Sequence, residues 1–187
     1  PEIAMMRAIV APPVLASAAL SELKAWLGIS RSAEDAELLA LLRSALDLCE
    51  GFTCTMPLSA GCEDVLAASS AWQTLGARPV RAITALAALD LSGGRIALAA
   101  SDHELDIDAE GCGRIRLLRP IEQRRVVATY VAGLAEDWPD LPEAIRQGVI
   151  RLAAHQHRAR DDEKKSAAWP PAAIAALWRP WRRMRLA

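Results

Sequence analysis

The chain has 187 residues, a formal net charge of −1 and 52% hydrophobic residues. That length suits one domain with an appendage and supplies enough apolar surface for a core. The near-neutral balance excludes a global field that would draw the protein to nucleic acid or membrane, and no apolar run is long enough to span a bilayer.

Residues 1–17 read as an extended leader carrying Pro12 and Pro13. The opening PEIAMMRAIVAPPVL is interrupted by prolines and does not read as a secretory leader, so the four cysteines are expected as free thiols in a reducing cytosol. LSELKAWLG predicts a helix over about 20–27, with Gly28 as its stop. A longer helix follows over about 33–53. Ser32 is its expected cap, and Leu38, Leu42, Ala45, Cys49 and Phe52 form its apolar stripe.

From Met56 the texture changes to short apolar runs separated by turn residues, a β insertion over about 57–133. PVRAITALAALD reads as a strand, and Gly93-Gly94 as a hairpin turn. HELDID, GRIRLL and RRVVATYVAG read as further strands, antiparallel to one another. A third helix is expected over about 141–163, capped by Asp140, with Leu141, Ile145, Val149, Leu152 and Gln156 on its buried side. The expected plan is α+β but mainly helical: a helical core with a small antiparallel sheet inserted between the long helices. Residues 18–165 form the domain on this reading, and 166–187 an extended C-terminal tail.

Catalytic and metal-binding patterns are not apparent. His155 and His157 lie two apart on a helix and point to different sides, and Cys49, Cys54 and Cys62 lack zinc-site spacing. Neither a phosphate loop nor a nucleophile elbow is present, and no cofactor is implied. A helix-turn-helix reading fails because Glu34, Asp35 and Glu37 would meet phosphates at the start of the reader helix. One acidic run stands out: Asp102, Glu104, Asp106, Asp108 and Glu110, spaced by two. In an extended segment the central acids share one face, which suits the solvated side of an edge strand better than a metal site.

The tail SAAWPPAAIAALWRPWRRMRLA is the sharpest feature. Trp169, Trp178 and Trp181 accompany Arg179, Arg182, Arg183 and Arg185, and from Trp178 onward there is no acid. Burying three indoles falls short of the entropy lost in ordering some twenty residues, so the tail must pack on the domain or dock on a partner. Trp and Arg dominate interface hot spots, which favours docking, with Ile174, Leu177 and Trp178 as anchors on a short helix. On that reading, replacing Trp178 and Trp181 leaves the domain folded.

The order of these pieces resembles the head–tail adaptor (connector) proteins of tailed bacteriophages and gene transfer agents. The resemblance runs from about Leu20 to Leu186. It rests on LSELKAWLGI, EDAELLALLRSALDLCEGFT, RPVRAITALAALD, VVATYVAGLAEDWPDLPEAIRQGVIRLAAHQHRARD and PPAAIAALWRPWRRMRL in that order. TMPLSAGCEDVLAASSAWQTLGA matches poorly, and its strands are not placed. The resemblance implies a structural protein and no enzyme. It would be made in the bacterial cytoplasm and located in the virion at the head–tail junction. Its partners would be copies of itself in a ring, typically dodecameric, then the portal protein and the next tail-side protein, such as a stopper. Packaged DNA would pass through the channel without specific binding, and no membrane would be involved. The closing helix would dock on the portal, and the acidic run becomes candidate channel lining. The alternative is a soluble DNA-binding regulatory or packaging protein that uses the basic tail. A metal hydrolase built on the acidic run comes third.

Overall fold

The fold is that of a computed structural model, which describes residues 6–159 and 170–182. The chain divides into two compact units. One comprises Pro1–Pro13 with Ser59–Gly133, and the other Val14–Leu58 with Leu134–Ala187.

The second unit is helical. It contains α1 (Ser17–Leu27), α2 (Asp35–Thr53), α3 (Glu143–Ala159) and α4 (Ala172–Trp178), and a 3-10 turn, Arg179–Trp181, follows α4. Helix α1 stops where expected: Gly28 adopts φ 73°, the left-handed conformation glycine takes without steric cost, and its N–H bonds to the Ala25 carbonyl. Helix α2 starts at Asp35 rather than at a Ser32 cap. Its first turn carries Asp35 and Glu37, which suit the positive end of the helix dipole, and Lys24 of α1 pairs with Asp35 at 2.6 Å. Helix α3 starts at Glu143 after a 3-10 turn, Trp138–Asp140, and Pro142 supplies the first accepting carbonyl, so Asp140 is not its cap. The expected stripes hold in part: Phe52 and Gln156 are half-buried, and Leu141 is buried but precedes α3. Leu38, Leu42, Ala45 and Cys49 from α2 meet Ile145, Val149 and Leu152 from α3 in one buried cluster. Trp138 lies in the same cluster and donates its indole N–H to Glu22 at 2.6 Å. Burial pushes the Cys49 thiol up to about 12, so this cysteine is core, not a nucleophile.

Among the described residues the first unit holds eight strands: β1 (Met6–Ala11), β2 (Ala60–Ala67), β3 (Gln73–Thr74), β4 (Val80–Leu89), β5 (Arg95–Ala97), β6 (His103–Ile107), β7 (Gly113–Leu117) and β8 (Arg125–Ala132). A five-stranded sheet runs in the order β1-β2-β8-β4-β5 and a three-stranded one in the order β3-β7-β6. Every pair is antiparallel. The β4–β5 hairpin turns at Gly93, φ 88°, and Asp90 accepts from the N–H groups of Ser92 and Gly94. Ile115, Leu117, Val126, Ala128 and Tyr130 are buried in this unit.

This architecture corrects the mainly helical expectation. Of the described residues, 38% are helical and 29% lie in strands, so the fold is mixed. The small inserted sheet is two antiparallel sheets with buried side chains of their own. The expected leader contributes β1, paired to β2 with Arg7 opposite Asp64. Strand β2 escaped sequence reading because its inward face is Ala60, Cys62, Asp64 and Leu66: a carboxylate occupies an apolar position and breaks the alternation. Asp64 is fully buried and accepts the Gly76 N–H at 2.6 Å. Burial raises its carboxyl above the usual range, partly offset by that bond, by Tyr130 and by Arg7.

Candidate functional site

The tail is the first candidate, and the structure redistributes its residues. Ile174 and Trp178 are buried in the cluster of the helical unit, with Trp178 at 0% exposure. Leu177 and Trp181 are half-buried against the same cluster. The expected anchors Ile174 and Trp178 are therefore core residues of their own chain, which corrects the extended docking tail. Arg179 and Arg182 are exposed. Trp169, Arg183 and Arg185 lie outside the described residues.

The local sequence explains this seating. Pro171 precedes α4 and its carbonyl accepts from Ile174 and Ala175, so the prolines start the helix rather than prevent it. Ile174 and Trp178 are four apart and share one helix face. The indole of Trp178 enters a slot in α3 at Gly148. A Cβ on Gly148 would stand 2.1 Å from Trp178 Nε1, so no other residue leaves room for the ring. The indole N–H donates to the Ile145 carbonyl at 3.3 Å. Phe52 of α2 packs on the ring with centroids 6.1 Å apart, and the Arg182 guanidinium lies over Phe52 at 5.4 Å. Sequence reading missed Gly148 and Phe52 as parts of this clamp. A glycine in the middle of an amphipathic helix was the available signal.

The acidic run is the second candidate. Glu104 and Asp106 lie on β6, an edge strand, as the solvated-face reading expects. They do not form a bare negative wall. Arg116 pairs with Glu104 and Arg114 with Asp106, both at 2.5 Å, each across the β6–β7 ladder. Arg119 approaches Asp102 at 3.8 Å. Arg116 and Arg114 also lie over the Trp72 ring, at 4.7 and 5.8 Å from its centroid. Asp108 builds the β6–β7 turn, accepting from the N–H groups of Glu110 and Cys112. Gly111 completes that turn at φ 76°, where any side chain would strike Pro79. Glu110 is exposed. The arginines of GRIRLL recur with the same two-residue spacing as the acids, so their pairing was latent in the sequence and needed the register to become visible.

Among the described residues no group of His, Cys, Asp and Glu could hold a metal ion, and no helix is long and apolar enough to cross a membrane. His157 lies 3.2 Å from Glu34, and His103 belongs to β6. None of the four cysteines forms a disulfide.

Neither a family model nor a curated protein matches the sequence. Solved structures do. The chain is similar to one in the neck of an empty gene transfer agent (GTA) particle computed with C6 symmetry, at 29% identity and TM-score 0.76, covering 98% of both chains. It is similar to one in the virion of a native gene transfer agent particle, at 30% identity and TM-score 0.71, again over 98% of both chains. The chain belongs to the head–tail adaptor family of tailed bacteriophages and gene transfer agents. A third similar chain comes from the neck of a native GTA particle computed with C12 symmetry, at 29% identity and TM-score 0.69, covering 96% of this chain. The likeness spans both units, so the family relation rests on the whole chain and not on one shared module. Family membership makes the chain a structural component of a phage-like particle.

Proposed function

We propose that this chain is the head–tail adaptor of a phage or gene transfer agent: copies form a ring, typically of twelve, between the portal and the tail, and the ring extends the DNA channel. The observation that carries this reading is the similarity over both units to chains in particle necks computed with C6 and C12 symmetry. Cyclic symmetry supports head-to-tail contacts, in which one patch meets a different patch on the next copy and the rotation closes. The partners on this reading are further copies of the chain, the portal on one side and a stopper-like tail protein on the other. Many copies gain avidity from a symmetric partner, so each single contact can be weak.

The docking element is the C-terminal segment, but in a revised form. Helix α4 is a fixture of the subunit, held by Trp178, and Arg179 and Arg182 are the exposed cations that follow it. The acidic edge enters as channel lining only as a mixed surface, because Arg114 and Arg116 neutralise Asp106 and Glu104. Such a surface still avoids the net positive charge that would hold DNA.

Electron microscopy of assembled particles tests the proposal. Both units should appear as repeated density around the axis between portal and tail. Locating the chain elsewhere in the particle, or finding complete necks in particles that lack it, would defeat the reading.

A further inference from the structure

Strand β1 is exposed along its length. Arg7, Ala8, Ile9, Val10 and Ala11 all reach solvent, with Ile9 at 43% and Val10 at 51% exposure. Among the described strands β1 pairs with β2 alone, at the end of its sheet, so the backbone on its other side is open to a further partner. The register steps from Ile9 opposite Cys62 to Ala11 opposite Gly61, which leaves Val10 on a bulge. Edge strands are commonly blunted by charge, as β6 is by Glu104 and Asp106. β1 holds no acid and one base, Arg7, which stands opposite the buried Asp64. An apolar edge left open in this way is a surface for association.

The other edge of the same sheet is β5. The hairpin that joins it to β4 carries Leu91 at 98% exposure, and Ile96 on β5 is 52% exposed. The tip is held in place from within. One Asp90 carboxylate oxygen accepts from the Ser92 N–H at 2.8 Å, the Ser92 hydroxyl at 2.8 Å and the Gly94 N–H at 2.6 Å. At the base of the hairpin Arg95 donates to both oxygens of Glu63, at 2.6 and 2.8 Å. The charged groups of the hairpin are thus engaged within the subunit, and what the tip offers outward is an aliphatic side chain on an ordered turn.

We propose that β1 is covered by the β4–β5 hairpin of the next copy of this chain, with Leu91 and Ile96 set against Ile9 and Val10. The proposal rests on the ring reading and names the contact that would build the ring. Closing a ring head to tail requires two different patches on every copy, and the two edges of one sheet supply them. Charge does not oppose the contact, because Asp90, Arg95 and Glu63 are already engaged beside one patch and Arg7 faces Asp64 beside the other. The ordered turn lowers the entropy lost when the hairpin docks. Pairing of β1 with β1 of a second copy would also hide the apolar edge. Such a contact is two-fold, joins copies in pairs, and does not propagate around an axis.

The test uses the full chain, alone and in assembled particles. Leu91→Asp and, separately, Val10→Asp place a carboxylate in the contact. Leu91 is almost wholly exposed and Val10 lies outside the register, so each purified variant should melt within about 2 °C of the parent. Particles made with either variant should yield about tenfold fewer complete necks, while Leu91→Met should assemble as the parent does. The double variant Val10→Cys/Leu91→Cys, treated in purified particles with a short bismaleimide, should give a ladder of multimers on a denaturing gel. The parent, whose natural thiols are the control, and each single cysteine variant should give none. Should an aspartate variant disturb the fold, the cross-link decides instead. Complete necks at the parental yield from either aspartate variant would overturn the inference and leave the adaptor reading intact. So would double-cysteine chains that occupy necks and cross-link no more than the parent. Dimers from Val10→Cys alone would overturn it in favour of β1 against β1. Absence of the parent chain from the particle neck is a different result: it removes the adaptor reading, and the inference falls with it.

Discussion

Truncating Trp178 is the most decisive perturbation of the helical unit. The side chain is fully buried, touches Phe52, and donates to the Ile145 carbonyl. Large-to-small changes of a buried tryptophan cost about 3–5 kcal/mol, the transfer term plus the cavity left behind. At about 2–4 °C per kcal/mol for a chain of this size, Trp178→Ala should lower the melting temperature by roughly 6–20 °C. The slot gives a sharper version of the experiment. Gly148→Ala in the natural background forces a methyl to 2.1 Å from the indole nitrogen, so the ring must leave and most of the same cost should appear. In the Trp178→Ala background the slot is empty, and the same Gly→Ala change should stabilise by about 1 kcal/mol through helix propensity. A change of sign between backgrounds is the coupling expected of two residues that compete for one space. Urea unfolding followed by far-ultraviolet circular dichroism measures all four corners of the cycle. It is preferable to fluorescence because the chain holds six tryptophans. Additive effects, or a Trp178→Ala protein melting within about 2 °C of the parent, would refute the clamp and restore the indole as a surface anchor.

Other consequences are equally direct. Glu104→Gln with Asp106→Asn should free Arg114 and Arg116 and create binding to random duplex DNA that weakens steeply with salt; filter binding of parent and variant decides it. Asp64→Asn keeps an acceptor for the Gly76 N–H and removes a carboxyl whose folded pKa is raised. A raised carboxyl means that the folded state binds its proton more tightly than the unfolded state. Its contribution to stability therefore falls as pH rises from the ordinary aspartate range through the folded value, and the full penalty persists above it. The variant should be more stable than the parent at neutral pH and less dependent on pH, and urea midpoints from about pH 4 to 8 test this; parallel profiles would refute it. Gly111→Ala should destabilise the first unit, since the methyl meets Pro79 and the residue sits at φ 76°; hydrogen exchange in β6 and β7 should rise, and unchanged protection would argue against the turn's role.

Helices, their apolar stripes and the Gly28 stop were readable in the sequence because they depend on neighbours three or four residues apart. The Gly93 hairpin and the strands HELDID and GRIRLL were readable for a similar reason, since a turn residue and a two-residue alternation are local signals. Strands β1 and β2 were not. Their pairing joins Arg7 to Asp64 across more than fifty residues, and the buried carboxylate hides the alternation that would have marked β2. The acids of β6 looked like a negative face until the ladder set Arg116 against Glu104 and Arg114 against Asp106. The tail illustrates the same divide most plainly. Its composition announced that the indoles need cover, a conclusion that hydrophobicity and entropy reach without coordinates. Where the cover lies depends on a missing side chain at Gly148, and an absent Cβ gains meaning only when another segment of the chain is folded against it.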